Sequence, residues 1–230
     1  MRTTTVVAMI LSGAGLSGCG VTSQLHSELS YGGAAENVLA LESAGIGVLT
    51  PAAPTGQESD KQALGESLGA ALQSELASTR VLGLPEMLSA INRAGLAGNY
   101  AKTLADYENT GILDRDTLHA IGEASGVRYL AKLNLGNFNQ SSDKRLAIAG
   151  IRMFDTWRAT IRVHLEVWDA DTGEIAWQGN DELVYAREGV KERPVTFRQV
   201  ADVAARNLVQ KVGTSGTESL DQDPETVASR

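Results

Sequence analysis

Cysteine and histidine are scarce in this sequence. The 230-residue chain has one cysteine, Cys19, and three histidines, none of which has a second histidine four residues away. A single cysteine excludes an intramolecular disulfide, so the fold has to be stabilised by the burial of apolar side chains, which contributes about 25 cal/mol per Å². A metal site needs several converging ligands, and these scattered residues do not supply them. We therefore predict no metal ion.

Positive charge is in deficit, because 20 lysines and arginines stand against 28 aspartates and glutamates and give a net charge of −8. This balance excludes a general basic field of the kind that binds nucleic acid. After the amino-terminal segment, the sequence has no uncharged apolar run of about 18 residues or more, so it offers no candidate for a transmembrane helix there.

Familiar cofactor motifs are missing as well. The phosphate-binding pattern G-x-x-x-x-G-K-[ST] does not occur, and Gly65 and Gly69 lie inside a predicted helix rather than in a strand-to-helix turn. Carboxylates are numerous, but their spacing singles out no pair for acid–base catalysis. We predict that the protein has no catalytic residues, is not an enzyme and binds no cofactor.

The amino-terminal segment has the organisation of a secretory signal peptide. Arg2 gives a positive start, the apolar run Val6–Leu11 follows, and the small residues Ser12–Gly15 lead towards a cleavage site. The apolar run is far shorter than the roughly 20 residues needed to cross a bilayer. We predict that residues 1–18 are a signal peptide.

The tetrapeptide Leu16-Ser17-Gly18-Cys19 resembles the bacterial lipobox. This resemblance implies that Cys19 becomes the first residue of the mature chain and carries diacylglycerol and a further acyl chain such as palmitate. Gly20 stands where inner-membrane lipoproteins of enteric bacteria typically have aspartate, so we expect an outer-membrane anchor on the periplasmic face. The alternative is an ordinary cleaved signal peptide in which Cys19 is a small apolar residue. Residues 19–44 are predicted to be the lipidated cysteine and a flexible tether.

Residues 45–212 have the pattern of one α/β (α+β) domain, with a mixed sheet of about five strands and helices packed on it. A long first helix is indicated by leucines at a spacing of four residues, and a C-terminal helix begins after Pro194. From residue 213 to residue 230 the chain is polar and acidic, which is typical of a disordered tail. The strands are predicted over residues 46–50, 80–84, 127–135, 160–167 and 174–185.

Residues 160–167 alternate regularly between apolar and polar side chains, which is typical of a strand with one face on the core and one face in water or against a partner. Trp168 has the parity of the polar residues, and tryptophan is enriched at the centres of interfaces. The alternative is an edge that the final helix covers. The partner surface predicted in this way consists of Arg162, His164, Glu166, Trp168 and Trp177.

Two segments, Gly126–Leu133 (GVRYLAKL) and Leu165–Trp177 (LEVWDADTGEIAW), resemble signatures of one group of envelope proteins. The group contains the curli secretion lipoprotein and its CsgG-like relatives, the penicillin-binding-protein activator lipoprotein, and the amino-terminal domain of TolB. The resemblance extends over roughly residues 45–212 in the order of the predicted elements. It implies an α/β domain of mixed sheet that acts by binding other envelope components.

We predict a non-catalytic, outer-membrane-anchored periplasmic lipoprotein that acts as an adaptor in cell-envelope assembly or maintenance. Its expected partners are the membrane, through the lipid anchor, and another envelope protein. Assembly into a homo-oligomer is a further alternative. One alternative is a subunit of a curli-type secretion pore, although residues 139–158 supply hardly more than one membrane hairpin. Another alternative is a small-ligand binding protein or an enzyme.

Overall fold

The computed structural model of the chain describes residues 22–33, 43–54, 59–148, 151–189, 195–214 and 216–222, together with Leu41 and Gln57. The predicted signal peptide, the lipobox residues Leu16, Ser17 and Gly18, and Cys19 itself all lie outside the described residues. Within the described part of the chain, no helix combines the length and the apolar character needed to span a membrane.

The described strands are β1 (Thr22–Gly33), β2 (Ile46–Val48), β3 (Val81–Leu82), β4 (Tyr129–Ile148), β5 (Ile151–Asp169), β6 (Ile175–Gly189) and β7 (Gly216–Gln222). They form one seven-stranded sheet in the order β3-β2-β4-β5-β6-β1-β7. β2 runs parallel to β3 and β4, and every other neighbouring pair is antiparallel. The predicted α/β class with a mixed sheet is confirmed, and the sheet has more strands than the five expected.

The helices with described bounds are α1 (Asp60–Glu75), α2 (Leu84–Arg93), α3 (Ala97–Thr110), α4 (Arg115–Ser125) and α5 (Phe197–Val209). α1 and α5 pack side by side on one face of the sheet, and the Ser67 hydroxyl of α1 donates a hydrogen bond to Asp202 of α5 at 2.6 Å. α2, α3 and α4 cover part of the opposite face, beside β2 and the beginning of β4. The sheet is therefore a middle layer with helices on both sides, two on one side and three on the other.

The leucine stripe of α1 forms the centre of the larger core. Leu64, Leu68 and Leu72 are fully buried, as the spacing of four residues predicts. Gly65 lies beside this stripe, and a Cβ atom there would come within 2.6 Å of the Leu84 Cδ2 atom. Glycine at this position therefore lets α1 approach the first residue of α2.

The predicted tether and the predicted tail both contribute strands, which corrects these two boundaries. Residues 22–33 form β1, which pairs with β6 on one side and with β7 on the other. In β1 the apolar alternation is interrupted at Ser27, which is buried between Leu25 and Leu29 on the core side. This polar residue at an inward position is the reason why the sequence pattern did not indicate a strand.

A buried polar trio connects β1 to the rest of the domain. The Ser27 hydroxyl donates to one carboxylate oxygen of Asp181, and the Asn207 amide of α5 donates to the other at 3.1 Å. Burial raises the pKa of Asp181 to about 6, and the hydrogen bonds from Ser27 and Asn207 oppose this rise only partly. The ionised carboxylate therefore costs the folded state free energy at neutral pH.

We expect the effect of Asp181→Asn on the free energy of unfolding to depend on pH. The effect should be more favourable to the folded state at pH 7 than at pH 4, by an amount on the order of 2–3 kcal/mol. A carboxyl whose pKa is raised on folding contributes stability below its unfolded value of 3.8, and this contribution is lost as the pH rises through about 6. Urea unfolding at several pH values measures the effect. A wild-type protein and a variant with parallel stability curves between pH 4 and pH 7 would contradict the assignment.

The β4–β5 hairpin is much longer than the sequence pattern indicates. Residues 139–149 are predicted as a loop or hairpin tip, but β4 continues to Ile148 and β5 starts at Ile151. The two strands pair over this whole length, with one register shift between Leu135 and Asn137. Polar and charged residues in the middle of the hairpin, such as Ser141 and Ser142, are tolerated because this part of the pair lies beyond the helices and is exposed.

Candidate functional site

The half of the sheet that no described helix covers presents a polar surface. Along β1 and β6, inward residues such as Leu29 and Asp181 are buried, whereas the outward residues that alternate with them are exposed. α1 and α5 occupy the inward side, and α2, α3 and α4 lie beside β2 and β4, away from this region. We call the outward surface of β5, β6, β1 and β7 the open face. Its polar residues include Glu28, Ser30, Arg162, His164, Asn180, Glu182 and Thr217 and Gln178.

The structure divides the predicted partner surface. Arg162 and His164 lie on the open face, and Glu166 lies buried at its border. Trp168 is only 4% exposed because it lies in a second core with residues of α2, α3 and α4. Trp177 is 2% exposed and packs on the opposite side of the sheet in the same core as α5.

The prediction that Trp168 and Trp177 form part of a partner surface is therefore wrong. For Trp177 the alternative holds, because its ring and the Leu208 side chain of α5 both come close to Gly179. The pairing register also shifts between Val167 and Trp168, which a strict alternation does not anticipate. Trp168 does lie on the side of the strand that its parity predicts. However, α2, α3 and α4 cover this side, and the sequence of the strand gives no indication of that cover.

Glu166 is the centre of a hydrogen-bonded cluster at the border of the open face. One carboxylate oxygen accepts hydrogen bonds from the Tyr107 hydroxyl at 2.8 Å and from the Trp168 indole at 3.0 Å. The other lies 3.1 Å from His164 Nε2. Burial acts to raise the pKa of Glu166, but the hydrogen bonds from His164, Trp168 and Tyr107 outweigh it and hold the pKa below its ordinary value. Glu166 therefore favours the ionised state, and both of its oxygens take part in hydrogen bonds.

His164 links the buried cluster to the open face. Its Nε2 faces Glu166, and its Nδ1 lies 2.8 Å from the side-chain oxygen of Asn180. An imidazole between two acceptors satisfies both only when both of its nitrogens carry a proton. The hydrogen bond to Glu166 is the main reason why the pKa of His164 is raised above 6.5. The surroundings of His164 therefore favour the protonated form of its imidazole.

Lys132 lies behind this cluster. Its Nζ donates a hydrogen bond to the Thr50 carbonyl at 2.8 Å and lies 4.7 Å from the centre of the Tyr107 ring. Burial lowers the pKa of Lys132 to about 8, against the opposing field of Glu166. Asn134 completes the cluster, because its amide donates to the Tyr107 hydroxyl at 2.7 Å. Lys132 is only 1% exposed, so its amine is a structural cation rather than a group that reaches a substrate.

On the open face, Arg162 and Glu182 form a cross-strand pair. The Arg162 guanidinium donates two hydrogen bonds to the two carboxylate oxygens of Glu182, at 2.8 and 3.0 Å. The hydrogen bonds lower the pKa of Glu182, and both side chains remain largely exposed. This bidentate geometry fixes the orientation of both groups while leaving them accessible.

Two clefts border His164. One, of about 380 Å³, lies on the open face, and the other, of about 610 Å³, lies between α3 and β4. Both are broad and open to solvent, unlike the enclosed apolar pockets that bind small ligands. The second cleft is lined by Lys61, Tyr107, Glu108, Asn109, Asn134 and His164, among others.

The described residues give little support to catalysis or metal binding. They contain no group of three or more His, Cys, Asp or Glu side chains that could hold a metal ion. The segment Gly65-Glu66-Ser67-Leu68-Gly69 matches the G-x-S-x-G pattern of esterase nucleophiles, so the expectation that this pattern does not occur in the sequence is wrong. It lies inside α1 rather than at a strand-to-helix turn, and its serine is buried against Asp202. The motif therefore belongs to the packing of α1 against α5 and does not have the geometry of a nucleophile elbow.

The sequence analysis found only part of the cluster. Arg162, His164 and Glu166 follow from the alternation of β5, whereas Tyr107, Lys132 and Asn134 were missed. Lys132 and Asn134 did carry a signal, because they interrupt the apolar strand 127–135 at positions of one parity. Tyr107 had no such signal, since its place over Glu166 depends on how α3 packs on the sheet.

No protein-family profile matches the sequence, and a search of curated proteins finds no match. Among solved structures, the fold resembles a PelC dodecamer from Paraburkholderia phytofirmans, with 10% identity, coverage of 83% of this chain and 99% of that chain, and a TM-score of 0.47. The C-terminal domain of LpoB from Salmonella enterica shares 14% identity over 60% of this chain and 79% of its own, with a TM-score of 0.35. A lipoprotein from Neisseria meningitidis shares 16% identity over 72% of this chain and 97% of its own, also with a TM-score of 0.35. Similarity of this degree concerns the course of the chain and does not extend to function.

Proposed function

We propose that this chain is a bacterial envelope lipoprotein whose α/β domain is a non-catalytic adaptor. In this proposal, acyl chains on Cys19 hold the domain at the periplasmic face of the outer membrane. The domain then binds another envelope protein through the open face of its sheet. The lipobox Leu16-Ser17-Gly18-Cys19 supports the proposed lipid anchor, and Gly20 supports its location in the outer membrane.

The observation that carries the adaptor role is the fixed polar array of the open face. Arg162 is held by Glu182 through two hydrogen bonds, and His164 is held between Asn180 and the buried Glu166. Side chains that are already ordered lose less conformational entropy when a partner binds. A surface on which charges of both signs are held in place suits a protein partner of complementary charge pattern.

Site-specific photo-crosslinking in intact cells tests this proposal. A photoreactive phenylalanine analogue replaces either Gln178 or Ser30, which are both exposed on the open face. The control position is Gln73, which is exposed on α1 on the other side of the sheet. We expect the same envelope protein to be captured from Gln178 and Ser30, and not from Gln73. Charge reversal with Arg162→Glu should reduce the yield several-fold.

Equal capture from Gln73 and Gln178, or no product from either open-face position, would remove the open face as the binding surface. A product formed from two copies of this chain would instead support self-association, as in the pore alternative. The identity of the captured protein is read by mass spectrometry, so that a single partner can be distinguished from nonspecific neighbours.

A further inference from the structure

Asn180 connects the imidazole of His164 to the surface of the open face. Its side-chain oxygen lies 2.8 Å from Nδ1 of His164, and Asn180 itself is exposed. The two residues lie directly opposite each other in the pairing of β5 with β6, and both line the cleft of about 380 Å³ on the open face. A change of protonation on the imidazole therefore reaches an accessible group through a single hydrogen bond.

The buried side of the imidazole determines which nitrogen loses its proton. Nε2 lies 3.1 Å from a carboxylate oxygen of Glu166, which is 6% exposed. Tyr107 and Trp168 donate to the other oxygen and hold this carboxylate in place. A deprotonated Nε2 would set its lone pair against a buried anion that has no freedom to turn away. The neutral imidazole therefore keeps its proton on Nε2 and loses the one on Nδ1.

Loss of the Nδ1 proton reverses the hydrogen bond to Asn180. Two acceptors, the bare Nδ1 and the Asn180 oxygen, would then face each other at 2.8 Å. A half-turn of the exposed amide removes this conflict, because its NH₂ group then donates to Nδ1. The oxygen takes the place that the NH₂ group held, on the side away from the imidazole. Asn180 therefore presents a donor beyond His164 when the imidazole is protonated, and an acceptor when it is neutral.

Charged and titratable side chains from six elements surround His164. They are Arg162 and Glu166 of β5, Asp181 and Glu182 of β6, Glu28 of β1, Lys132 of β4, Tyr107 and Glu108 of α3, and Lys61 of α1. Within this set, the hydrogen bond to Glu166 contributes most to the raised pKa of His164, and burial opposes it. Asp181 points to the opposite side of the sheet, where Ser27 and Asn207 bind it.

The charges near Asn180 are compatible with a bound carboxylate. Arg162 neutralises Glu182 through two hydrogen bonds. Glu28 belongs to β1, two strands away from His164, which is about 10 Å at the usual spacing of strands. Salt weakens its repulsion over this distance. A carboxylate at Asn180 therefore meets the charge of a protonated His164 at closer range than the charge of Glu28.

We infer that His164 and Asn180 make the open face a pH-dependent binding surface, which holds a carboxylate of the protein partner in acidic surroundings and releases it when the imidazole becomes neutral. The imidazolium charge and the outward NH₂ group both favour an anionic acceptor, so the two changes act in the same direction. This inference rests on the protein partner of the proposed function. It adds the chemistry of the partner at this point and a control of its binding.

NMR titration of the full chain in detergent micelles between pH 5 and pH 9 tests the linkage itself. The ¹⁵N signals of the His164 ring report its tautomer, and the side-chain amide of Asn180 reports its hydrogen bond. We expect one shared midpoint for both, with the proton on Nε2 above it. Asp181→Asn, which removes a buried carboxyl on the other side of the sheet, is the matched control and should keep the two midpoints equal. Asn180 signals that do not follow His164, or a proton retained on Nδ1, would overturn the inference.

Photo-crosslinking from Gln178 in isolated membranes, at pH 5.5 and at pH 8.5, tests the binding. We expect a several-fold higher yield of the crosslinked envelope protein at pH 5.5 in the wild type and in Asp181→Asn. His164→Gln, whose side chain does not titrate, should give similar yields at both pH values, and its near-ultraviolet circular dichroism spectrum shows whether it is folded.

The outcomes separate the inference from the proposed function. Equal yields at the two pH values in the wild type, or a higher yield at pH 8.5, would overturn the inference and leave the adaptor role in place. A pH dependence that persists in folded His164→Gln would assign it to another group and would also overturn the inference. No crosslinked envelope protein at either pH would contradict both.

Discussion

Glu166→Gln is expected to destabilise the domain by about 2–4 kcal/mol, which is a large part of the stability of an ordinary domain. The carboxylate accepts from Tyr107 and Trp168 and faces His164, and it is 6% exposed. A glutamine side chain offers one acceptor oxygen, and its NH₂ group faces donors on the other side. Either one donor is then left without a partner, or His164 gives up its Nε2 proton and its charge to accept from the new amide. In both cases Lys132 loses a nearby negative charge.

Urea unfolding measures this effect, with Glu182→Gln as the matched control. Glu182 lies on the same face and also accepts from a cation, but its side chain is largely exposed, so its removal should change the free energy of unfolding little. Equal stability changes in the two variants would contradict the central position of Glu166. We therefore expect the replacement of a glutamate on this sheet to change the free energy of unfolding strongly when the side chain is buried, and little when it is exposed.

The same variant changes the titration of His164. In the wild type, folding raises the pKa of His164, so its contribution to stability is present below pH 6.5 and is lost as the pH rises through the folded-state pKa. Without the Glu166 carboxylate, the main cause of this rise is gone, and NMR titration should give a lower pKa for His164. An unchanged value would mean that Asn180 or another group holds the proton.

Cys19→Ser is expected to convert a membrane-bound protein into a protein that is released by washing. Each buried CH₂ group of an acyl chain contributes about 0.8 kcal/mol, so several chains make dissociation negligible, and serine cannot form the thioether. Membrane fractionation measures the change, and Ser30→Ala, on the exposed side of β1, is the control that should stay in the membrane fraction. A Cys19→Ser protein that resists washing as well as the control would show that the acyl chains are dispensable.

The described position of β1 changes what the anchor does mechanically. A tether of residues 19–44 would let the domain move freely near its membrane, whereas β1 starts three residues after Cys19. Under the proposed anchor, Thr22, Glu188 and Thr156, which pair across β1, β6 and β5, would lie near the bilayer surface. A partner that binds the open face would then bind at a short distance from the bilayer surface.

Much of the fold could be predicted because several elements carry a complete local signal. The alternation in β5 and the leucine spacing in α1 repeat over enough residues to identify strand and helix. Gly111 and Gly126 end α3 and α4 with positive φ angles, which glycine adopts without strain at the end of a helix. These signals are local, and so they can be read from the sequence.

The missed elements depend on residues that are distant in the sequence. β1 carries a serine at an inward position that is acceptable only because Asp181 and Asn207 lie opposite it. β7 has few apolar residues, and it pairs only with β1, which was itself missed. The burial of Trp168 likewise depends on helices that lie some fifty or more residues earlier in the chain. No pattern within one segment could indicate these contacts.

The most direct test of the central claim is the intact mass of the natural protein extracted from the membranes of the cells that make it. The account predicts a chain that starts at Cys19, with added mass that corresponds to a diacylglyceryl group and an amide-linked acyl chain on that residue. A protein recovered from the cytosol with Met1 in place and a free thiol at Cys19 would contradict it.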